Sequence, residues 1–99
     1  MIKLYRGTSV HEANDLLSGI QKRPNTHWCE SFEKANMYSK GAVVCLVFDE
    51  APAWIKYTKS VCEGDATHGT FTQYVIKQKD FAQLWDWAES DSHVTITNL

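Results

Sequence analysis

Residues 42–48 read Ala-Val-Val-Cys-Leu-Val-Phe, an apolar, β-branched run with no polar interruption. A strand with one wet face alternates apolar and polar side chains, whereas an unbroken run reads as a strand buried on both faces. A sheet containing such a strand needs helices packed against it. Working outward, Ser31 is placed to cap a helix running to about Ser39, with Phe32, Ala35 and Tyr38 on one stripe and Gly41 closing it. His27 to Glu30 is a short strand end, preceded by a polar loop over 21–26 that contains Pro24. At the start of the chain Ile2-Lys3-Leu4-Tyr5 alternates and ends at Arg6-Gly7-Thr8. Ser9-Val10-His11-Glu12 then forms a capping box, Ala13, Leu16 and Leu17 follow at helical spacing, and Gly19 stops the helix.

Downstream of the central run, Trp54-Ile55-Lys56-Tyr57 reads as a strand, and 60–69 as a loop holding Gly64, Asp65 and Gly69. Residues 70–77 (TFTQYVIK) make the next strand. Asp80 with Gln83 caps a third helix whose apolar face is Phe81, Leu84, Trp85 and Ala88, and residues 93–97 (HVTIT) form a last strand. The expectation is an α+β fold: one small domain over residues 1–99, a mixed or antiparallel sheet of five to six strands, and about three helices.

The chain has 99 residues, 10 basic and 12 acidic side chains and a net charge of −2, so it neither reads as disordered nor carries a polybasic surface for nucleic acid. No apolar run reaches the roughly 18 to 20 residues of a membrane helix, and MIKLYRG lacks a signal-peptide pattern. Three cysteines without a Cys-x-x-Cys pair point to a reduced, cytoplasmic setting. Four histidines are present, but the spacing matches no zinc site, so no metal is expected; no phosphate-binding glycine loop or serine elbow occurs. Glu63, Asp65 and His68 cluster before the late strand as a candidate substrate-facing lid or acid–base set, against the plainer reading of a solvated acidic loop. Trp87 lies off the apolar face of its helix and is the better of Trp85 and Trp87 for a partner contact.

Three segments, taken in order, resemble the ADP-ribosyltransferase-like proteins. LYRGTS resembles the family's opening strand with its Arg-Gly or His-Gly-Thr/Ser element, and HWCESFEKANMYSKGAVVCLVF its aromatic strand, Tyr-bearing helix and apolar strand. TFTQYVIKQKDF resembles the late strand, where an acid precedes Tyr and two β-branched residues. The chain is compact for this family.

The resemblance implies an NAD site. Arg6 would contact the ribose or phosphate side of NAD, for which a planar, permanently charged fork is suited. The Gly7 backbone would meet the nicotinamide carboxamide, and Thr8 would add a hydroxyl to the ribose. His27 and Tyr38, eleven positions apart, would flank the nicotinamide ring. Ser31 sits near the family's Ser-Thr-Ser position, although a helix-cap role is the plainer account. Gln73 falls in the slot of the catalytic acid; it can hydrogen-bond a ribose hydroxyl but supplies no negative charge, and losing one such contact typically costs about 10² to 10³ in rate. The implied function is a mono-ADP-ribosyltransferase-like protein acting on a macromolecular target, with Arg6, Tyr38 and Gln73 as the catalytic set and NAD as substrate. The alternatives are an NAD glycohydrolase-type toxin, or a non-catalytic binding or inhibitor module on the same scaffold, such as a phage or mobile-element product acting on a host protein. Ser9 is better explained as a cap.

Overall fold

A computed structural model describes residues 2–48, 59–63, 70–90 and 94–99. In chain order these form β1 (Ile2–Ser9), α1 (Val10–Leu17), β2 (Asn25–Cys29), α2 (Phe32–Met37), β3 (Gly41–Phe48), β4 (Lys59–Glu63), β5 (Thr70–Lys77), α3 (Gln78–Ser90) and β6 (Val94–Asn98). The fold is a small α+β domain with one six-stranded sheet ordered β4-β5-β2-β1-β3-β6. Every neighbouring pair is antiparallel, so of the two arrangements left open by the sequence the mixed one is set aside.

The central run behaves as its composition requires. In β3 Ala42 through Leu46 and Phe48 are all buried, because the sheet is covered on both faces. The larger core joins Leu4, Trp28, Val44, Leu46, Phe48 and Ile76 of the sheet to Ala13 and Leu16 of α1 and Phe81 and Leu84 of α3. A smaller core on the other face joins Cys29 and Val43 to Ala35 of α2, with Tyr5 packed against it.

Several boundaries move from their sequence positions. β2 begins at Asn25, inside the expected 21–26 loop, because Asn25 and Thr26 pair with Lys77 and Ile76 of β5. α2 ends at Met37, with Tyr38 as its C-cap, rather than running to about Ser39. β1 does not end at Arg6: it continues to Ser9 by pairing Arg6, Gly7, Thr8 and Ser9 with Val44, Val43, Ala42 and Gly41. The start of the 60–69 segment is not loop, since Lys59–Glu63 pairs with Tyr74 through Thr70 as an edge strand. α3 begins at Gln78 rather than after Asp80; the Gln78 backbone N–H donates to Pro24 O at 3.0 Å and its side chain to Gln21 O at 2.8 Å. The expected strand at 54–57 and the residues Asp65 and His68 lie outside the described residues. Trp87 is half-buried against the larger core rather than standing clear of it.

The ends of α1 follow the sequence with one change. Ser9 Oγ accepts from the Glu12 backbone N–H at 3.1 Å, giving the expected N-cap. The Glu12 carboxylate, however, turns to Arg6, Thr8 and Arg23 instead of completing the reciprocal box. At the other end Ile20 N–H donates to Asp15 O and Gly19 N–H to Leu16 O, with Gly19 at φ +85°, which is a Schellman termination.

Candidate functional site

The sheet opens between β1 and β2. Among the described residues the two strands share the single ladder pair Tyr5–Cys29, whereas β1 pairs with β3 along its whole length. Continuing the first register would set Arg6 against Trp28 and Gly7 against His27, but the strands diverge there. A cavity of about 330 Å³ occupies the divergence. Its walls are Tyr5, Arg6 and Gly7 of β1, His27, Trp28 and Cys29 of β2, Ala35 and Tyr38 from α2 and its C-cap, and Gln73 of β5.

Five residues singled out from the sequence therefore meet in one place: Arg6, Gly7, His27, Tyr38 and Gln73. Two others serve the scaffold and are not cavity walls. Ser31 caps α2, its Oγ accepting from the Lys34 N–H at 3.2 Å. Thr8 is buried and donates its hydroxyl to Glu12. Gly7 shows why it carries no side chain: a Cβ there would lie 1.8 Å from Ala35 O and 2.8 Å from Ser39 N. The close approach is made by α2, which the strand's missing side chain admits. Tyr38 is 44% exposed at the end of α2, so it borders the cavity without being a core contact of its helix.

Arg6 is held on two sides. Its Nε and Nη2 donate to the two oxygens of Glu12 at 2.9 and 3.1 Å, and its Nη1 donates to His27 O at 3.2 Å. The guanidinium thus bridges β1 to β2 where the backbone ladder has stopped. Arg23 Nε also donates to Glu12, at 2.8 Å. Burial pushes the Glu12 carboxyl up, but the hydrogen bonds from Arg6, Thr8 and Arg23 and the Arg6 charge outweigh it and leave the group below its ordinary value.

The β2 wall is fixed from behind by a buried polar chain. Trp28 Nε1 donates to Thr26 Oγ1 at 2.7 Å, Thr26 lies 3.0 Å from Gln21 Oε1, and Gln21 Nε2 donates to Ile76 O at 3.0 Å. Closing buried donors and acceptors on one another holds this part of the sheet in a single arrangement. At the far end of β2, Tyr74 donates to Glu30 Oε1 at 2.6 Å; burial and the neighbouring carboxylate push the phenol up to about 12. Cys29 and Cys45 are buried thiols raised above their ordinary value by desolvation.

Sequence reasoning missed Glu12 as the partner of Arg6 and missed Tyr5, Trp28 and Cys29 as walls. A strand that turns directly into a helix returns the first helical turn to the strand's end, so an Arg and a Glu flanking that turn are a legible pair. Period-two alternation likewise puts Tyr5 on the face of Gly7, and Cys29 on that of His27. No group of three His, Cys, Asp or Glu side chains is gathered for a metal among the described residues, and no helix among them is long and apolar enough to cross a membrane. Comparison of the chain with protein-family models, curated proteins and solved structures returned no match.

Proposed function

We propose that this cavity is an NAD site and that the chain is a mono-ADP-ribosyltransferase-like protein acting on a macromolecular target. What supports this is the convergence of Arg6, Tyr38 and Gln73 from the first strand, the middle helix and the late strand on one cleft. That is the set which the resemblance in sequence singles out. The volume lies near the lower end of the roughly 300–1,000 Å³ usual for ligand pockets, room for a flat ring and part of a sugar, with the remainder of a dinucleotide lying along the opening.

In this arrangement the nicotinamide ring lies against Tyr38 and His27, the Arg6 guanidinium takes an oxygen of the ribose–phosphate side, and Gln73 bonds a ribose hydroxyl. In the transfer the ribose C1′–N bond of NAD breaks and its electron pair neutralises the pyridinium nitrogen. The acceptor nucleophile bonds C1′ and gives up its proton. Gln73 orients the sugar but does not stabilise the growing positive charge, so turnover is slow relative to a site holding a carboxylate. The same residue favours a second reading, in which the chain binds NAD or ADP-ribose without transferring it.

Incubating the protein with labelled NAD and a cell lysate, then separating protein-bound label from free products, tests both. Label on protein supports transfer, and free ADP-ribose without adducts supports a glycohydrolase. Melting with NAD at 100 times its dissociation constant adds about 2.7 kcal/mol if the site binds. A melting curve unmoved by NAD, together with no label in any product, overturns the proposal.

A further inference from the structure

We infer that Glu12 is a positioning residue for this cavity: it fixes the Arg6 guanidinium so that its Nη1 edge meets an anionic, phosphate-bearing ligand. The class of ligand rests on the reading of the cavity as a site for NAD; the positioning rests on geometry.

Glu12 sits in the first turn of α1, and its backbone N–H is tied to Ser9 Oγ, so its carboxylate starts from a fixed base. It receives Arg6 side-on through Nε and Nη2, the two-point contact that sets a guanidinium's plane as well as its place. That leaves Nη1 to reach His27 O across the split strands. Among the described residues three of the five guanidinium N–H groups are then engaged, which leaves one on Nη1 and one on Nη2 for a ligand oxygen. Thr8 and Arg23 hold the carboxylate in turn. Two arginines share one glutamate, so the cluster keeps a net positive charge while Arg6 is immobilised. The Arg6 and Glu12 side chains are only 13% and 17% exposed. Glu12 is not a wall of the cavity, so any effect it has on a ligand passes through Arg6.

Two other accounts of Glu12 give different results. If it merely fastens α1 to β1, its loss lowers stability and leaves the affinity of folded protein unchanged. If it acts only as a negative charge near an anion site, its loss tightens anion binding. Positioning predicts weaker binding that depends on Arg6 being present.

The test is calorimetric titration of ADP-ribose into wild type, Glu12→Gln, Arg6→Ala and the double variant, each shown folded by circular dichroism. The expected result is about tenfold weaker binding for Glu12→Gln, at least as large a loss for Arg6→Ala, and no further loss in the double variant. Thr8→Val, which removes the hydroxyl pinning the carboxylate, gives a smaller loss in the same direction and serves if Glu12→Gln does not fold. Affinity in Glu12→Gln equal to or above that of wild type overturns the inference alone, as do losses that multiply in the double variant. A wild type that binds neither ADP-ribose nor NAD overturns the NAD reading and this inference with it.

Discussion

Gly7 and Glu12 carry the most consequence among single residues, and each does so for a reason outside its own segment. At Gly7 the nearest obstacle to a side chain is backbone, Ala35 O, which cannot rotate aside. Gly7→Ala is therefore expected to displace α2 from β1 at a cost of about 3 kcal/mol or more, the upper range for overpacking, read as a lower urea midpoint. NAD binding, if present, falls with it, because Tyr38 rides on the end of α2. Glu12 gives a pH signature. Its carboxyl lies below the ordinary 4.5, so the unfolded chain takes up the proton first. The stabilisation it provides is complete above that value and is lost as pH falls through the lowered one. Glu12→Gln should flatten that part of the acid-unfolding curve, and an unchanged acid limb would show that the three donors around the carboxylate contribute nothing net. The sequence identified Glu12 as a capping residue and Gly7 as a strand-end glycine. The partners that define them, Arg23 in the connection between α1 and β2 and Ala35 in α2, lie elsewhere in the chain, which local pattern does not reach.

At the scale of elements, the features legible in advance were those whose cause is local. Unbroken apolar composition placed β3, Ser9 and Ser31 marked the starts of α1 and α2, and Gly19 marked the end of α1. What shifted was decided by pairing. Arg6-Gly7-Thr8 has the look of a turn, yet β3 supplies a partner at every step and the strand runs on. Lys59–Glu63 has weak strand character but sits beside β5, whose edge offers a full ladder. The termination of α1 also reaches beyond itself. A Cβ on Gly19 would come within 2.6 Å of the Trp85 ring of α3, and its φ of +85° is unfavourable for any residue with a side chain. Gly19→Ala should thus cost about 1–2 kcal/mol from backbone conformation, more if Trp85 is forced off its seat. The check is thermal unfolding alongside a Trp85→Ala control. If the loss is the same with and without the indole, the conformational part accounts for it; a smaller loss in the Trp85→Ala background assigns the difference to the contact.

Across the whole molecule the feature that local reading reaches least well is the split between β1 and β2, since it is made of a missing stretch of ladder rather than of any residue. Candidate residues could be named one by one, but that five of them line one cavity follows from the strand order, which sets β5 beside β2 and β2 beside β1, and from α2, which brings Tyr38 to it. Gln73 tests that arrangement as a unit. It stands opposite Cys29 in the ladder, and Cys29 stands opposite Tyr5, so one row of side chains crosses three strands into the cavity. Placing a carboxylate in this row sets a charge in a half-buried position, a desolvation cost that Arg6, the cation on the same cavity wall, offsets only in part because it is already tied to Glu12 and His27 O. If the occupant is NAD, the pyridinium and the positive charge that grows on the ribose provide the remaining compensation. Gln73→Glu should therefore lower the melting temperature of the protein alone while enlarging the upward shift produced by NAD, and it should raise turnover by about 10² if that one contact is what the site lacks. The two signs must appear together. A stability loss with no greater response to NAD would mean that the carboxylate faces no ligand cation, and the row from Tyr5 through Cys29 to Gln73 would then be a wall of the cavity with no part in NAD chemistry.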